Sequence, residues 1–491
     1  MAAIITEKFR VHNAKQFKED FGEAASSTYV FIGRSHSWPT DTSPPTPVNG
    51  TSEEVDAWAD MTALKKVGSA DVSHGLTRHD WTSGVKYDEY QHDISASNTS
   101  TATSATSLYA SRFYVMTDEY HVYKCLRTGR DSSGSTVNST VKPTGTSATA
   151  LVETSDTGAA SGRGYLWKYM YTVTASDTIK FVTNDFIPVK TIGALATVDG
   201  TSGALNATAT NDGSAQWDVE NGAVSGGCHH AVVTAEGSNY NNGTYNEVPV
   251  VGDGSGGKAT VVIAGGKVTH VTFTGTNAAF GTGYTQAEIR IATTTTNLSG
   301  IGSGSGATVK VIISPQYGHG ADPIQEMGGN HIIVNSRLEF GEGGGDFPTD
   351  NDFRRIGLVQ DPFASATTVA TAPTLAAYHQ MTVSDASDLS VDDVIRSANA
   401  DGAGVKNSRI VSITGNVVSH IPIADSAGGF NNFAATNSVF LGNSNKGTVS
   451  SVNAAYPEVV KNSGQVMYIE NRGAVTRAAD QIEDIKLIIE M

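Results

Sequence analysis

Cysteine is almost missing from this 491-residue chain: Cys125 and Cys228 lie in different segments, so no disulfide framework holds the fold and two buried thiols are expected. Charged residues are sparse as well, at 17% against a usual ~25%. Basic residues are the scarcer sign, 33 Lys and Arg against 49 Asp and Glu, for a net charge of -16. Nucleic-acid surfaces and polybasic membrane patches require the opposite balance, so neither partner is expected. No apolar run approaches the ~18 residues of a membrane-spanning helix. Residues 1–10 lack the apolar stretch and small-residue cleavage site of a secretory signal. The expectation is a soluble chain that folds in a reducing cytoplasm.

What the chain has instead is glycine, 52 residues of it, with abundant Ser and Thr. That composition favours turn-rich β structure over helical bundles, and the length exceeds what one hydrophobic core serves. The predicted class is mainly β: a multi-domain, β-sandwich-like core with a few short helices and Gly-rich β insertions.

Two helices are predicted near the start. Asn13 and Gln16 precede Phe17 and Phe21, four apart before Gly22, which suggests a short capped helix. Another begins at Ser52, with Val55, Trp58, Met61 and Leu64 on one side and Glu53, Glu54, Asp56 and Asp60 near its N-terminal end. Pro39, Pro44, Pro45 and Pro47 mark an extended loop between them.

From Arg112 the pattern turns to strands. In residues 164–174, Tyr165, Trp167, Tyr169, Tyr171 and Val173 alternate with Leu166, Lys168, Met170 and Thr172. Such a ladder is either a core face or an aromatic binding platform. Residues 191–317 form a Gly/Thr-rich β insertion with a loose repeat: Gly237-Ser238-Asn239-Tyr240 precedes a glycine run at 252–256, and Gly281-Thr282-Gly283-Tyr284 precedes another at 302–306. Gly265-Gly266 between two β-type segments is a two-residue hairpin signal, and Gly415-Asn416 marks a turn in a second small β insertion over 366–453. The remaining segments, 1–190, 318–365 and 454–491, are assigned to one core. In the last strand Ile485, Leu487 and Ile489 alternate with Asp484, Lys486 and Glu490, as a half-buried strand requires.

Catalytic and cofactor motifs mostly fail on context. The run Gly252 to Lys258 matches a dinucleotide fingerprint and most of a phosphate loop, but Ala259 replaces the metal-binding hydroxyl and a β-branched strand follows where a helix is needed. The same run is not repeated at nine-residue spacing and lacks the carboxylates of a calcium β-roll. His229, His230, His270, His319 and His331 have no carboxylate or cysteine at metal-ligand spacing. No nucleophile elbow or helix-borne zinc motif occurs. No catalytic, cofactor or metal residue is therefore assigned.

Several ordered segments resemble the baseplate wedge subunit of T-even-like contractile-tailed bacteriophages. The most specific runs from Ser463 through Tyr468, Ile469, Glu470, Asn471 and Arg472 to Arg477, Asp480 and Gln481. Lys8-Phe9-Arg10, Phe31-Ile32-Gly33-Arg34-Ser35 with Trp38 and Pro39, Arg78-His79-Asp80-Trp81, Val122 to Leu126 and Gly164 to Tyr169 add to it, as do Phe353 to Leu358 with Asp361-Pro362. The resemblance implies a non-enzymatic virion protein, homodimeric within each wedge, that binds other wedge subunits and assembles in the host cytoplasm. The polar cluster Glu470, Asn471, Arg472, Arg477, Asp480 and Gln481 is the candidate interface, either capping a sheet edge or bonding a neighbour. The alternative is a tail-associated adhesin whose insertion binds host glycan through Tyr240, Tyr245, Phe273, Phe280 and Tyr284.

Overall fold

The structure, a computed structural model, describes residues 3–193, 210–273, 280–339, 351–476 and 481–491. It is mainly β, with antiparallel sheets and five α-helices among the described residues. The chain divides into two compact units, one comprising residues 1–14, 73–332 and 489–491, the other 15–72 and 333–488.

In the first unit, a sheet runs in the order Tyr114–Met116, His121–Arg127, Leu166–Thr172 and Val152–Glu153. The aromatic ladder lies in its core. Tyr165, Trp167 and Tyr169 pack with Tyr87, Tyr123 and Cys125, while Met170 and Tyr171 belong to a second cluster with Phe113 and Ile187. A buried phenol must find a hydrogen-bond partner: Tyr123 donates to the loop carbonyl Gly145 O at 2.7 Å, Tyr165 to Val137 O at 2.8 Å and Tyr171 to Pro188 O, in the strand Phe186–Val189, at 2.9 Å, while Tyr169 Oη meets Thr172 Oγ1 at 2.7 Å. The ladder therefore ties neighbouring segments to the sheet and leaves no platform. Cys125 and Cys228 are buried and free, and burial pushes the Cys228 thiol up to about 12.

Lys124 lies on the same sheet with its side chain wholly enclosed. Its Nζ bonds Glu326 Oε2 at 2.9 Å and sits 4.1 Å from the ring centre of Tyr90. Glu326 also accepts from Gly320 N at 2.7 Å and Asp322 N at 3.2 Å. Close by, His229 and His319 contact edge to face at 5.0 Å, and burial lowers His229 to about 3, so both rings are neutral.

The glycine repeats of the insertion are exchanged. Turn 237–240 lies on the second glycine run, where Ser238 pairs with Ser305 and Tyr240 Oη accepts from Ala307 N at 3.1 Å. Turn 281–284 lies on the first run: Thr282 pairs with Ser255, and Tyr284 Oη accepts from Gly257 N at 3.3 Å. The local geometry is duplicated, with φ of 65° and 66° at Gly237 and Gly281 and of 80° and 85° at Gly256 and Gly306. A Cβ on Gly281 would stand 2.5 Å from Gly257 N, so backbone meets backbone only because no side chain intervenes. Phe273, Phe280, Tyr240 and Tyr284 are all buried in this module's core. The proposed sugar-stacking face is thus corrected: these rings hold the insertion together, and half-buried Tyr245 bonds Asn241 O and Gly300 O. The hairpin at Gly265-Gly266 joins Lys258–Ala264 to Lys267–Thr272 as the sequence suggests, and Lys258 opens a strand, not a phosphate-binding helix.

The second unit contains a five-stranded sheet in the order Thr374–Ala376, Met61–Val67, Thr28–Gly33, Phe353–Gln360 and Gln465–Val475. It also contains a closed six-stranded barrel between His379 and Val452, with Met381, Ile395, Ile410 and Val418 in its interior. Gly415, at φ 58°, turns the hairpin between Asn407–Thr414 and Val417–Ile423.

Both helix expectations need correction at their ends. The first helix spans Glu7–Asp20 and is already helical at Asn13, although Phe17 and Phe21 do meet edge to face at 5.2 Å. The second is Thr51–Asp60, and Met61 and Leu64 belong to the strand Met61–Val67. Ala63 and Leu64 pair with Ile32 and Phe31, and this long-range pairing overrides the helical spacing. Val55, placed on the apolar side, is exposed, whereas Trp58 is buried.

Two stability outcomes follow. Lys124→Met leaves Glu326 buried without its counter-charge and lowers unfolding free energy by about 3–5 kcal/mol, measured by urea denaturation; the Lys124→Met/Glu326→Gln double variant loses less than the two single losses combined. Gly281→Ala costs about 1–3 kcal/mol or more from the left-handed φ and backbone clash, read in the same assay.

Candidate functional site

Three segments that are distant in sequence meet at one corner of the five-stranded sheet. Gly33 ends its strand against the start of Met61–Val67; a Cβ there would stand 2.6 Å from Asp60 O, so glycine permits the close approach. Arg34 follows at φ 57°, its N donating to Asp60 O at 2.9 Å. This turn carries the guanidinium 3.6 Å above the Trp38 ring, where Nη1 bonds Asp60 Oδ2 at 3.1 Å.

Arg354 and Arg355 are consecutive in Phe353–Gln360, and both are buried. A buried guanidinium is tolerated only when its donors are matched. Arg354 forms a fork with Asp41, from Nε at 3.1 Å to each oxygen and from Nη2 at 2.9 Å, and also donates to Ser35 O. Arg355 donates from Nε to Asn471 Oδ1 at 2.9 Å and from Nη2 to Glu53 Oε1 at 2.7 Å, with Asp60 3.5 Å from Nη1. The fork from Arg354 holds the Asp41 carboxyl below its usual range.

The third segment is Gln465–Val475. Its register against Phe353–Gln360 shifts so that Arg354 alone lies opposite Arg472, Gly473 and Ala474. Arg472 bonds Glu470 Oε1 at 2.6 Å, Tyr468 donates to the other Glu470 oxygen at 3.1 Å, and Asn471 Nδ2 donates to Pro45 O at 3.1 Å. Trp38 Nε1 donates to Arg472 O at 3.0 Å. Among the described residues the strand pairs on one side only, which leaves it at the sheet edge.

A cavity of about 440 Å³ opens beside this corner, lined in part by Arg34, His36, Asp60, Arg355, Arg409 and Phe430. Glu53, Asp56 and Asp60 balance Arg34, Arg355 and Arg409 among its lining groups, so it favours neither sign of ligand. Burial lowers the His36 pKa, which keeps that ring neutral.

Of the sequence-derived cluster, Glu470, Asn471 and Arg472 come together here. Gln481 bonds Glu483 at 3.1 Å, and Arg477 and Asp480 lie outside the described residues. Arg34, Trp38, Arg354 and Arg355 lie in segments that carry the family resemblance, but no motif in the sequence alone marks them as a site. The available signal was two successive arginines within an otherwise apolar strand, which demand acidic partners from elsewhere.

The family model described as Phage-Gp8: Bacteriophage T4, Gp8 matches residues 3–149. The chain is similar to the T4 baseplate wedge family. A "Baseplate wedge protein gp8" of Enterobacteria phage T4 is 28% identical over 210 residues, an alignment taking in 38% of this chain and 60% of that protein. The chain thus spans about 60% of the length of the curated wedge relative it matches. The family match includes the strand Thr28–Gly33, Arg34, Trp38, Asp41 and Glu53, which form one half of the corner.

Arg355→Lys keeps the charge but loses the planar fork that reaches Asn471 and Glu53 together, so it costs about 1.5–3 kcal/mol in urea denaturation. Because Asp41 has a lowered pKa in the fold, its contribution is fully present above the ordinary carboxylate range and is lost as pH falls through the lowered value. Asp41→Asn accordingly shows a flatter decline of urea midpoint with acidification than the parent chain.

Proposed function

We propose that this chain is a non-enzymatic structural subunit of a contractile-tail baseplate wedge, located in the virion tail baseplate and linking neighbouring wedge proteins during assembly in the host cytoplasm. The similarity to the T4 baseplate wedge protein carries this reading. No membrane or nucleic-acid partner is part of it; no helix among the described residues is long and apolar enough to cross a membrane.

The physical support lies in the edge strand Gln465–Val475. An unpaired edge presents a row of backbone donors and acceptors, and natural proteins cover, charge or use such rows. Most of its residues are half-buried and Met467 is exposed, while its inner side is held by the arginine corner. The proposed occupant is a second copy of this chain, because two identical edges related by a twofold axis pair antiparallel with closed symmetry. The polar cluster Glu470, Asn471 and Arg472 then holds the edge strand in position and flanks the contact. The five-segment division at 190, 317, 365 and 453 is retained as a proposal for how a core carries two β insertions.

Met467→Asp places a charge on this contact and weakens dimerisation at least tenfold, measured by light scattering across a dilution series. A parent chain that stays monomeric and fails to co-sediment with the other wedge proteins of its phage overturns the proposal.

A further inference from the structure

In a chain with net charge -16, one cleft gathers positive charge. It lies within the first unit, where the loop following His121–Arg127 faces strands of the glycine-rich insertion, and has a volume of about 190 Å³. Arg127, Arg130 and Arg163 line it together with His230 and His270.

The three guanidiniums are not equally compensated. Arg127 bonds Glu153 Oε1 at 2.7 Å, and Arg130 bonds Glu89 Oε1 at 3.1 Å. Arg163 is buried, and its Nη1 and Nη2 donate to the carbonyls of Asp131 at 3.0 Å and Thr269 at 3.1 Å. Among the described residues no carboxylate lies within ion-pair distance of it. Glu236 also lines the cleft but is engaged by Lys267 at 3.0 Å.

Other groups fix the sign of the cleft. Glu89 is fully enclosed and accepts from Thr128 N at 2.9 Å, Thr128 Oγ1 at 3.0 Å and Gln91 Nε2 at 2.8 Å, with His230 Nε2 3.3 Å away. Burial alone would raise its pKa, but His230, Arg130 and Thr128 outweigh that and hold the carboxyl ionised. Its charge is therefore spent beneath the cleft. His270 is lowered to about 4 by burial and by Arg163 and Arg127, so at neutral pH it is an uncharged ring whose Nδ1 bonds Thr269 Oγ1 at 3.2 Å.

We infer that this cleft is a binding site for a small oxyanion of phosphate or carboxylate type, held by Arg163 with Arg127 and Arg130. The volume admits such a group and lies below the ~300 Å³ at which pockets for drug-sized ligands begin. Fork-like guanidinium donors suit planar carboxylate and tetrahedral phosphate oxygens alike. An anion here supplies the counter-charge that Arg163 lacks and relieves the mutual repulsion of three converging cations. The same chemistry arises from free phosphate or from an acidic side chain of a neighbouring protein.

The test is isothermal titration calorimetry of the full chain with inorganic phosphate and, separately, with acetate, each at constant ionic strength against chloride. Saturable binding of either anion, weakened at least tenfold in Arg163→Gln, supports the site. Phosphate alone binding assigns it to a free tetrahedral ion, and acetate binding as well opens it to a protein carboxylate. Should Arg163→Gln not fold by circular dichroism, Arg163→Lys serves, with binding expected at least fivefold weaker for want of the planar fork. No saturation by either anion up to about 50 mM, well past millimolar affinity, or equal binding in the parent and the folded variant, overturns the inference.

Discussion

Long-range antiparallel pairing is the constraint on which this molecule depends. Thr28–Gly33 takes its partners from Met61–Val67 on one side and from residues 355–360 on the other, and the latter pair with the C-terminal Gln465–Val475. A backbone rich in glycine and β-branched residues cannot satisfy its donors and acceptors locally, so it must bring remote segments together. The insertions follow the same rule on a smaller scale. Turns 237–240 and 281–284 each lie against the glycine run of the other copy, so each copy is completed by the other.

Charge is then used sparingly and placed where strands converge. Lys124 and Glu326 close the interior of one unit, while Arg34, Arg354 and Arg355 bind the other around Trp38, Asp41, Glu53 and Asp60. Such pairs stabilise little relative to a well-packed apolar core, but removing one partner is costly, which makes the arrangement specific. The arginine corner fixes the loop containing Trp38 and the edge strand beyond Arg355 in one geometry. The proposed wedge role, in which one edge meets neighbouring subunits, calls for that rigidity.

Much of the strand pattern was legible in the sequence because period-two alternation and two-residue glycine turns are local signals. The aromatic ladder at 164–174, the hairpin at Gly265-Gly266 and the turn at Gly415 all appear where the residues indicate. The helix ends were not legible, since Met61 and Leu64 satisfy helical spacing until Phe31 and Ile32 offer a better partner. Glu470, Asn471 and Arg472 could be picked out, but their connection to Arg355 and Trp38 could not, because it depends on which strands lie adjacent. The burial of Tyr240 and Tyr284 depends on the exchanged repeat, which no single window of sequence contains.

The outer edge of Gln465–Val475 is proposed to serve protein assembly. Hydrogen exchange of this strand, compared between the isolated chain at low concentration and the chain within an assembled wedge, tests it directly. Amides that exchange quickly in the isolated chain are expected to become protected on assembly. Unchanged exchange along the whole strand, with protection gained only elsewhere, would contradict it.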